Sequence, residues 1–198
     1  MNFASSILLM GRWLTFGLLL ASMVLIGGPS ARAQSAPELR ATILLRALAF
    51  DRKLKARAGD NLVVALVYLA SDRASSADRA DMRAALGAMG AQKLDGLPLS
   101  IVDHRYTTPE ALAAAITGGY DVLYVTPGMD AHLQAIKEAS RRAQVPTITN
   151  VRDYVEAGLS LAVDLVDGRP KLIVNLTASK AEGMDISSQV LQLAEVIR

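Results

Sequence analysis

Four times between residues 61 and 149 a short apolar run gives way to a segment whose apolar positions recur three or four apart. The first run, Asn61 to Leu69, is continuous (Val63, Val64, Leu66, Val67), as in a strand buried on both faces of a parallel sheet. The segment after it, Ser75 to Met89, sets Met82, Leu86 and Met89 on one stripe and stops at Gly90. Leu99 to Val102 predicts a second strand. The next helix has two possible starts: Thr107 with Glu110 in a capping box, or Thr108 with Pro109 in the first turn. Either start buries Leu112 and Ile116, and Gly118-Gly119 ends the helix. Asp121 to Val125 is the third strand. Asp130 is the expected cap of a fourth helix with Leu133 and Ile136 inward. Pro146 to Thr149 is the fourth strand. Asn150 is the expected cap of a small helix closed by Gly158.

Beyond Gly158 the period changes to two. Leu159, Leu161, Val163 and Leu165 alternate with smaller or polar residues, Asp167-Gly168 makes a turn, and Leu172, Val174 and Leu176 alternate again. That pattern predicts an antiparallel hairpin. A last helix over 188–198 is expected to bury Val190 or Leu191, then Ala194 and Ile197. Ahead of the first strand, Pro37 to Arg57 has helical spacing (Leu39, Ile43, Leu44, Ala47, Phe50), as one helix or two pieces, with a basic end at 52–57. The expected fold is α/β in three layers: about four parallel strands with crossover helices, then the antiparallel hairpin at one edge.

Residues 1–33 read as a secretory signal. Arg12 is its basic flank, Trp13 to Ile26 its apolar core, Gly27-Gly28-Pro29 its breaker, and Ala31-Arg32-Ala33 its small-x-small cleavage pattern. Met10 is a possible alternative start. The other reading is an uncleaved anchor in the inner membrane, although the core is short for a span of roughly 20 residues. The organisation expected is therefore the signal (1–33), an N-terminal helical segment (34–60) and the α/β domain (61–198). Of the 198 residues, the 33 of the signal take Arg12 and Arg32 and no acid with them. The remaining 165 hold 19 basic and 19 acidic side chains, so the pI near 9.0 describes the precursor. A neutral domain has no electrostatic case for nucleic acid.

The chain has no cysteine, which excludes disulfides, a thiol nucleophile, an iron–sulfur cluster and lipid attachment at an N-terminal cysteine. No glycine-rich phosphate loop follows the first strand, and no nucleophile elbow occurs. His104 and His132 fall on separate elements, so neither a metal site nor a cofactor site is assembled. Asp103-His104 ends the second strand, on the rim where doubly wound sheets bind ligands. With no nucleophile beside it, a solvated strand-end pair is the plainer reading. The loop Thr126-Pro127-Gly128-Met129-Asp130 opens a helix whose amides suit an anion, but a capping Asp130 would compete for them. Asn175 stands in the last strand opposite Val174 and Leu176, and suits a hydrogen bond to the neighbouring turn. Ser187-Ser188 suits a helix cap; Arg141-Arg142 and the 52–57 run suit solvated faces.

The C-terminal third carries an ordered set of short motifs: Gly158, Asp167-Gly168-Arg169, Val174-Asn175-Leu176, Ala178, Gly183, Ile186-Ser187-Ser188 and Leu191-x-Leu193-Ala194. In that order they resemble the YfiR-like family of exported regulators, closely over about 152–198 and more loosely back to about residue 61. The resemblance implies a periplasmic repressor that binds the periplasmic part of an inner-membrane diguanylate cyclase and lowers cyclic di-GMP output. It marks Gly158, Asp167, Gly168, Asn175, Ser187, Ser188 and Leu191 as structural or interface positions. Two features depart from the family: its opening helix is aromatic-rich and ends near Trp-Pro, where this chain has 43–50 ILLRALAF, and its redox-responsive cysteines are missing here.

The function expected is thus a non-enzymatic periplasmic regulator without cofactor or metal. Its expected partners are the cyclase and a second copy of the chain, with no nucleic acid. The alternative is a single-lobe periplasmic module that binds or senses a small molecule. A 165-residue lobe counts against the two-lobed arrangement in which a ligand sits between domains.

Overall fold

A computed structural model describes residues 35–89, 94 and 96–198. The signal, its cleavage site and the Gly90 helix stop lie outside the described residues. Seven strands form one sheet in the order β2-β1-β3-β4-β5-β6-β7. The strands β1 (Leu62–Tyr68), β2 (Leu99–Arg105), β3 (Val122–Val125), β4 (Thr147–Thr149) and β5 (Leu161–Val166) run parallel. β6 (Arg169–Asn175) returns antiparallel to β5, and β7 (Glu195–Ile197) pairs parallel to β6.

Alternation along the strands divides the core in two. Val64, Leu66, Tyr124, Leu161, Val163 and Val174 face one layer, built from α1 (Ala36–Ala49), α2 (Leu54–Ala58) and α3 (Arg73–Met89). Ala65, Val67, Leu123 and Val125 face the other, from α4 (Pro109–Thr117), α5 (Leu133–Ala143) and Tyr154 of α6 (Arg152–Glu156). Both faces of β1 and β3 are therefore dry, which is why their sequences are continuously apolar. The three-layer α/β expectation holds. Leu112, Ile116, Leu133 and Ile136 all point inward as their spacing predicted, and Thr108 is the cap of α4, accepting from the Ala111 amide.

The hairpin forms in the expected register, with Leu161 opposite Val174 and Val163 opposite Leu172. Asp167 and Gly168 have φ of +51° and +73°. Two left-handed residues in a row make the tight turn whose twist matches antiparallel strands, and Asp-Gly supports it at little cost.

The two-piece alternative for 37–57 is the one observed, and four expectations are corrected. The 37–57 segment is two helices, broken at Phe50, where the buried Asp51 enters an isolated bridge with Ile186. The last helix over 188–198 stops early: α8 spans Ser188–Leu193, Ala194 is extended, and Glu195–Ile197 join the sheet. Val190, Ala194 and Ile197 are spaced as in a helix, but the open edge of β6 draws Glu195–Ile197 into a strand. The hairpin is consequently not at the edge. Asp130 does not cap a helix: it opens a single 3-10 turn to His132 and accepts instead from the Tyr154 hydroxyl at 2.8 Å. Asn150 does not cap α6 either. It donates to Asp78, while Thr149 Oγ1 accepts from the Val151 amide.

Candidate partner-binding surface

The strand order places β1 between β2 and β3, so the topological switch point lies at the carboxyl ends of β1 and β3. In this chain those ends are occupied by their own side chains. Ser75 Oγ lies 2.6 Å from Thr126 Oγ1 and accepts from the Leu69 amide, and Asp72 accepts from the Ser75 amide. Gly128 has φ of +79°, and a Cβ there would lie 2.8 Å from the Asp72 carboxyl carbon. Asp72 thus fills the space above the loop that was the candidate anion cradle. Asp78 accepts from Tyr124 and Asn150, and burial raises its carboxyl above the ordinary range. Asp103 and His104 point to different neighbours, as adjacent strand residues must. Asp103 pairs with Arg79 and Arg83, whereas His104 Nδ1 meets the Tyr120 hydroxyl at 3.3 Å and burial lowers its ring below the usual range. They form a strand-end pair with separate partners.

The motif residues are scattered, and most serve the backbone. Gly158 (φ +109°) follows the last turn of α6, where Lys137 and Arg141 cross to the carbonyls of Ala157 and Gly158. Asp167 and Gly168 are the hairpin tip and are exposed. Asn175 is buried and caps a short helix absent from the sequence reading, α7 (Leu176–Ala181). Its Oδ1 accepts from the Ala178 amide and its Nδ2 donates to the Val155 carbonyl. Leu191 packs half-buried on the core and Ser188 is exposed. Ser187 occupies the cap position of α8, yet its hydroxyl makes no capping bond. The Oγ is buried without a hydrogen-bond partner.

Ser187 borders a shallow, open cleft of about 210 Å³ between the end of α1 and the 186–188 turn, together with Ala49, Phe50, Asp51, Arg52 and Lys55. The Ser187 amide donates to the Phe50 carbonyl, tying the two sides. Phe50 is 44% exposed at this cleft, and Leu193, at the far end of α8, is 86% exposed. Six helical residues rise roughly 9 Å, so Leu193 lies within about that distance along α8 from Ser187. Leu193→Asp should therefore shift the melting temperature by no more than about 2 °C, as for a surface change. A fall of several degrees would show that Leu193 is docked.

Two buried acids were missed by sequence reasoning. Asp51 directly precedes the 52–57 run that reads as a basic solvated face, yet it is buried: Oδ1 accepts from the Lys53 and Asp185 amides, and Oδ2 holds Arg57 at 2.7 Å. Glu182, just after α7, is fully buried below the amino ends of β4 and β5. It accepts from the Thr147 amide at 2.7 Å, and from the hydroxyls of Thr147, Ser140 and Ser160. No cation is among these donors. Burial outweighs their bonds and pushes the carboxyl up to about 7. A lone Glu beside Gly-Met carries no local sign of burial; Asn175 ahead of Thr-Ala-Ser-Lys was the usable sign of α7.

At the sheet's far edge Glu195 is gripped by Arg152 and Lys171, which hold its carboxyl down at about 2. Among the described residues there is no group of three His, Cys, Asp or Glu side chains able to hold a metal, and no helix long and apolar enough to cross a membrane.

Solved structures share the fold at low identity. A conserved domain protein from Vibrio cholerae matches with a TM-score of 0.57 at 16% identity, over 83% of this chain and 60% of that one. An ABC domain from Streptococcus pneumonia in complex with L-Trp matches at 0.57 and 14%, over 81% and 60%. A ligand-free, open substrate-binding protein with adhesive properties from Clostridium difficile matches at 0.53 and 18%, over 74% and 57%. The chain spans about 60% of the first two and slightly less of the third, and the likeness is one of fold alone. No curated protein matches the sequence significantly. The model of one family, described as YfiR/HmsC-like (DUF4154), matches residues 38–195, from the first turn of α1 into β7, and the chain belongs to that family.

Proposed function

We propose that this chain is an exported, non-enzymatic regulator that acts by contact with the periplasmic part of an inner-membrane diguanylate cyclase and lowers its output of cyclic di-GMP. The family match over residues 38–195 carries the reading. The signal pattern of residues 1–33 supports the compartment. The switch-point rim supports contact over ligand capture, because Asp72, Ser75 and Thr126 are bonded to one another where a small molecule would sit. Without cysteine, the interaction is switched by something other than a disulfide.

Deleting the gene should raise cellular cyclic di-GMP and surface attachment, and the full chain should reverse both. A version lacking residues 1–33 should reverse neither, since it stays on the wrong side of the membrane. Unchanged cyclic di-GMP on deletion would overturn the reading. Rescue by the shortened version would break the link between export and mechanism.

A further inference from the structure

We propose that Glu182 is a pH-operated latch: with its proton it holds the 182–187 turn against β4, β5 and α5 and keeps the α1–α2 corner fastened, and without it the turn and the corner loosen. One hydrogen is missing around the ionised carboxyl. Oε2 accepts from the Thr147 amide at 2.7 Å and from the Thr147 and Ser160 hydroxyls. Thr147 Oγ1 lies 3.0 Å from Oε1 as well, but its single hydrogen serves one oxygen at a time. Oε1 otherwise faces only the Ser140 hydroxyl at 3.2 Å, which also faces the Lys137 carbonyl at 3.0 Å. Ser140 has one hydrogen for two acceptors. A proton on Oε1 completes the set, Oε1 donating to Ser140 and Ser140 to the carbonyl. No cation stands ready to replace that proton. On α5, Lys137 and Arg141 turn to the carbonyls of Ala157 and Gly158, Glu138 bonds Gln134, and Arg142 is exposed. Lys180 of α7 is exposed, and Asp164 of β5 bonds the Leu165 amide. Asp185 in the turn faces Arg52, and Asp51 on the corner is paired with Arg57. An ionised Glu182 is therefore a dry, unpaired charge, and opening to water relieves it. The backbone carries that opening to the corner. Gly183 has φ of +80°, and a Cβ there would lie 2.8 Å from the Gln144 Cβ, so the turn is pressed onto the end of α5. The Asp185 amide donates to Asp51, the Arg52 amide to the Asp185 carbonyl, and the Ser187 amide to the Phe50 carbonyl. A Glu182 that moves toward water pulls on all three bonds, around the exposed Phe50 ring. The latch decides when the corner is closed, and is independent of the partner that the regulator reading assigns.

The test is amide hydrogen exchange followed by NMR at pH 6 and pH 8, with rates corrected for the intrinsic pH dependence of exchange. It uses protein recovered from cells expressing the full chain. Protection of the Arg52, Asp185 and Ser187 amides should fall about tenfold from pH 6 to pH 8, the ratio set by a carboxyl at about 7 in the closed turn and 4.5 in the open one. The amides of β1, which exchange when the whole domain opens, should stay better protected than these at both pH values. Glu182→Gln supplies a permanent donor to Ser140 and should show equal corner protection at pH 6 and pH 8. The same pH dependence in parent and variant would overturn the proposal. So would a corner that exchanges only together with β1, since the turn would then open with the domain and not as a latch. The carboxyl carbon of Glu182 gives a reading that needs no variant. In the unmutated protein it should titrate near 7, and the corner's protection should follow the same midpoint. Titration near 4.5, or corner protection that ignores the Glu182 midpoint, would overturn the latch even if Glu182→Gln does not fold.

Discussion

Acidifying the purified domain from pH 8 to pH 5 should stabilise it through Glu182, by up to about 3 kcal/mol from this one carboxyl. The sign follows from where the proton sits. Held at about 7 when folded against an ordinary 4.5, Glu182 carries a proton in the native state that the unfolded chain has already released across that window. Stability therefore grows as pH falls from about 7 toward 4.5, and is flat outside it. Burial of an uncompensated charge is the cost being relieved. His104 works the other way: its ring is kept neutral by burial, so its contribution is full above about 6.5 and fades as pH falls. Comparison with Glu182→Gln separates the two, because His104 is common to both chains. The free-energy difference between parent and variant, from urea melts at pH 5, 6, 7 and 8, should increase in the parent's favour toward low pH. A difference independent of pH would show that Glu182 is already ionised in the native state across this range, as it is in the unfolded chain.

Asp51→Ala should cost about 3–5 kcal/mol, the usual penalty for removing one partner of a buried ion pair. It strands the Arg57 guanidinium and leaves the amides of Lys53 and Asp185 without their acceptor. For a domain of this size that corresponds to a melting temperature lower by roughly 10 °C or more. Asp51→Asn should cost less, because Oδ1 still accepts from both amides while only the charge on Arg57 goes unanswered. A thermal melt of Asp51→Ala within 2 °C of the parent would mean that the two amides find water, and that the α1–α2 corner is held by packing alone.

These two acids also show where sequence reasoning stops. Strand and helix periodicity gave away the sheet interior, because Val64 to Val67 or Leu133 and Ile136 are buried by the same pattern that identifies them. The hairpin was equally plain, since Asp167-Gly168 sits between two alternating runs. Asp51 and Glu182 have no such pattern. Their burial is created by partners 134 and 35 residues away, at Asp185 and Thr147, and no local window contains both halves. β7 was hidden for a related reason: a three-residue strand has no periodicity of its own and is defined by the edge it completes. The cleft was half visible. Ser187 stood out as a motif position and Phe50 as the point where the opening helix departs from its relatives, but only the fold brings the two together.

The bridge between Asp51 and Ile186, with the Ser187–Phe50 contact beside it, has a consequence for the order in which the chain acquires structure. α1 packs against α3, β5 and β6, and its end is fastened to residues 185–187. A chain made from its amino end completes that fastening only once residues 185–187, more than 130 residues after α1, have been synthesised. Until then Leu44, Leu45 and Leu48 have no finished core to enter. Contacts of such wide sequence separation form slowly. The α1–α2 corner is therefore among the last parts of the domain to close, and residues 185–187 set when it does.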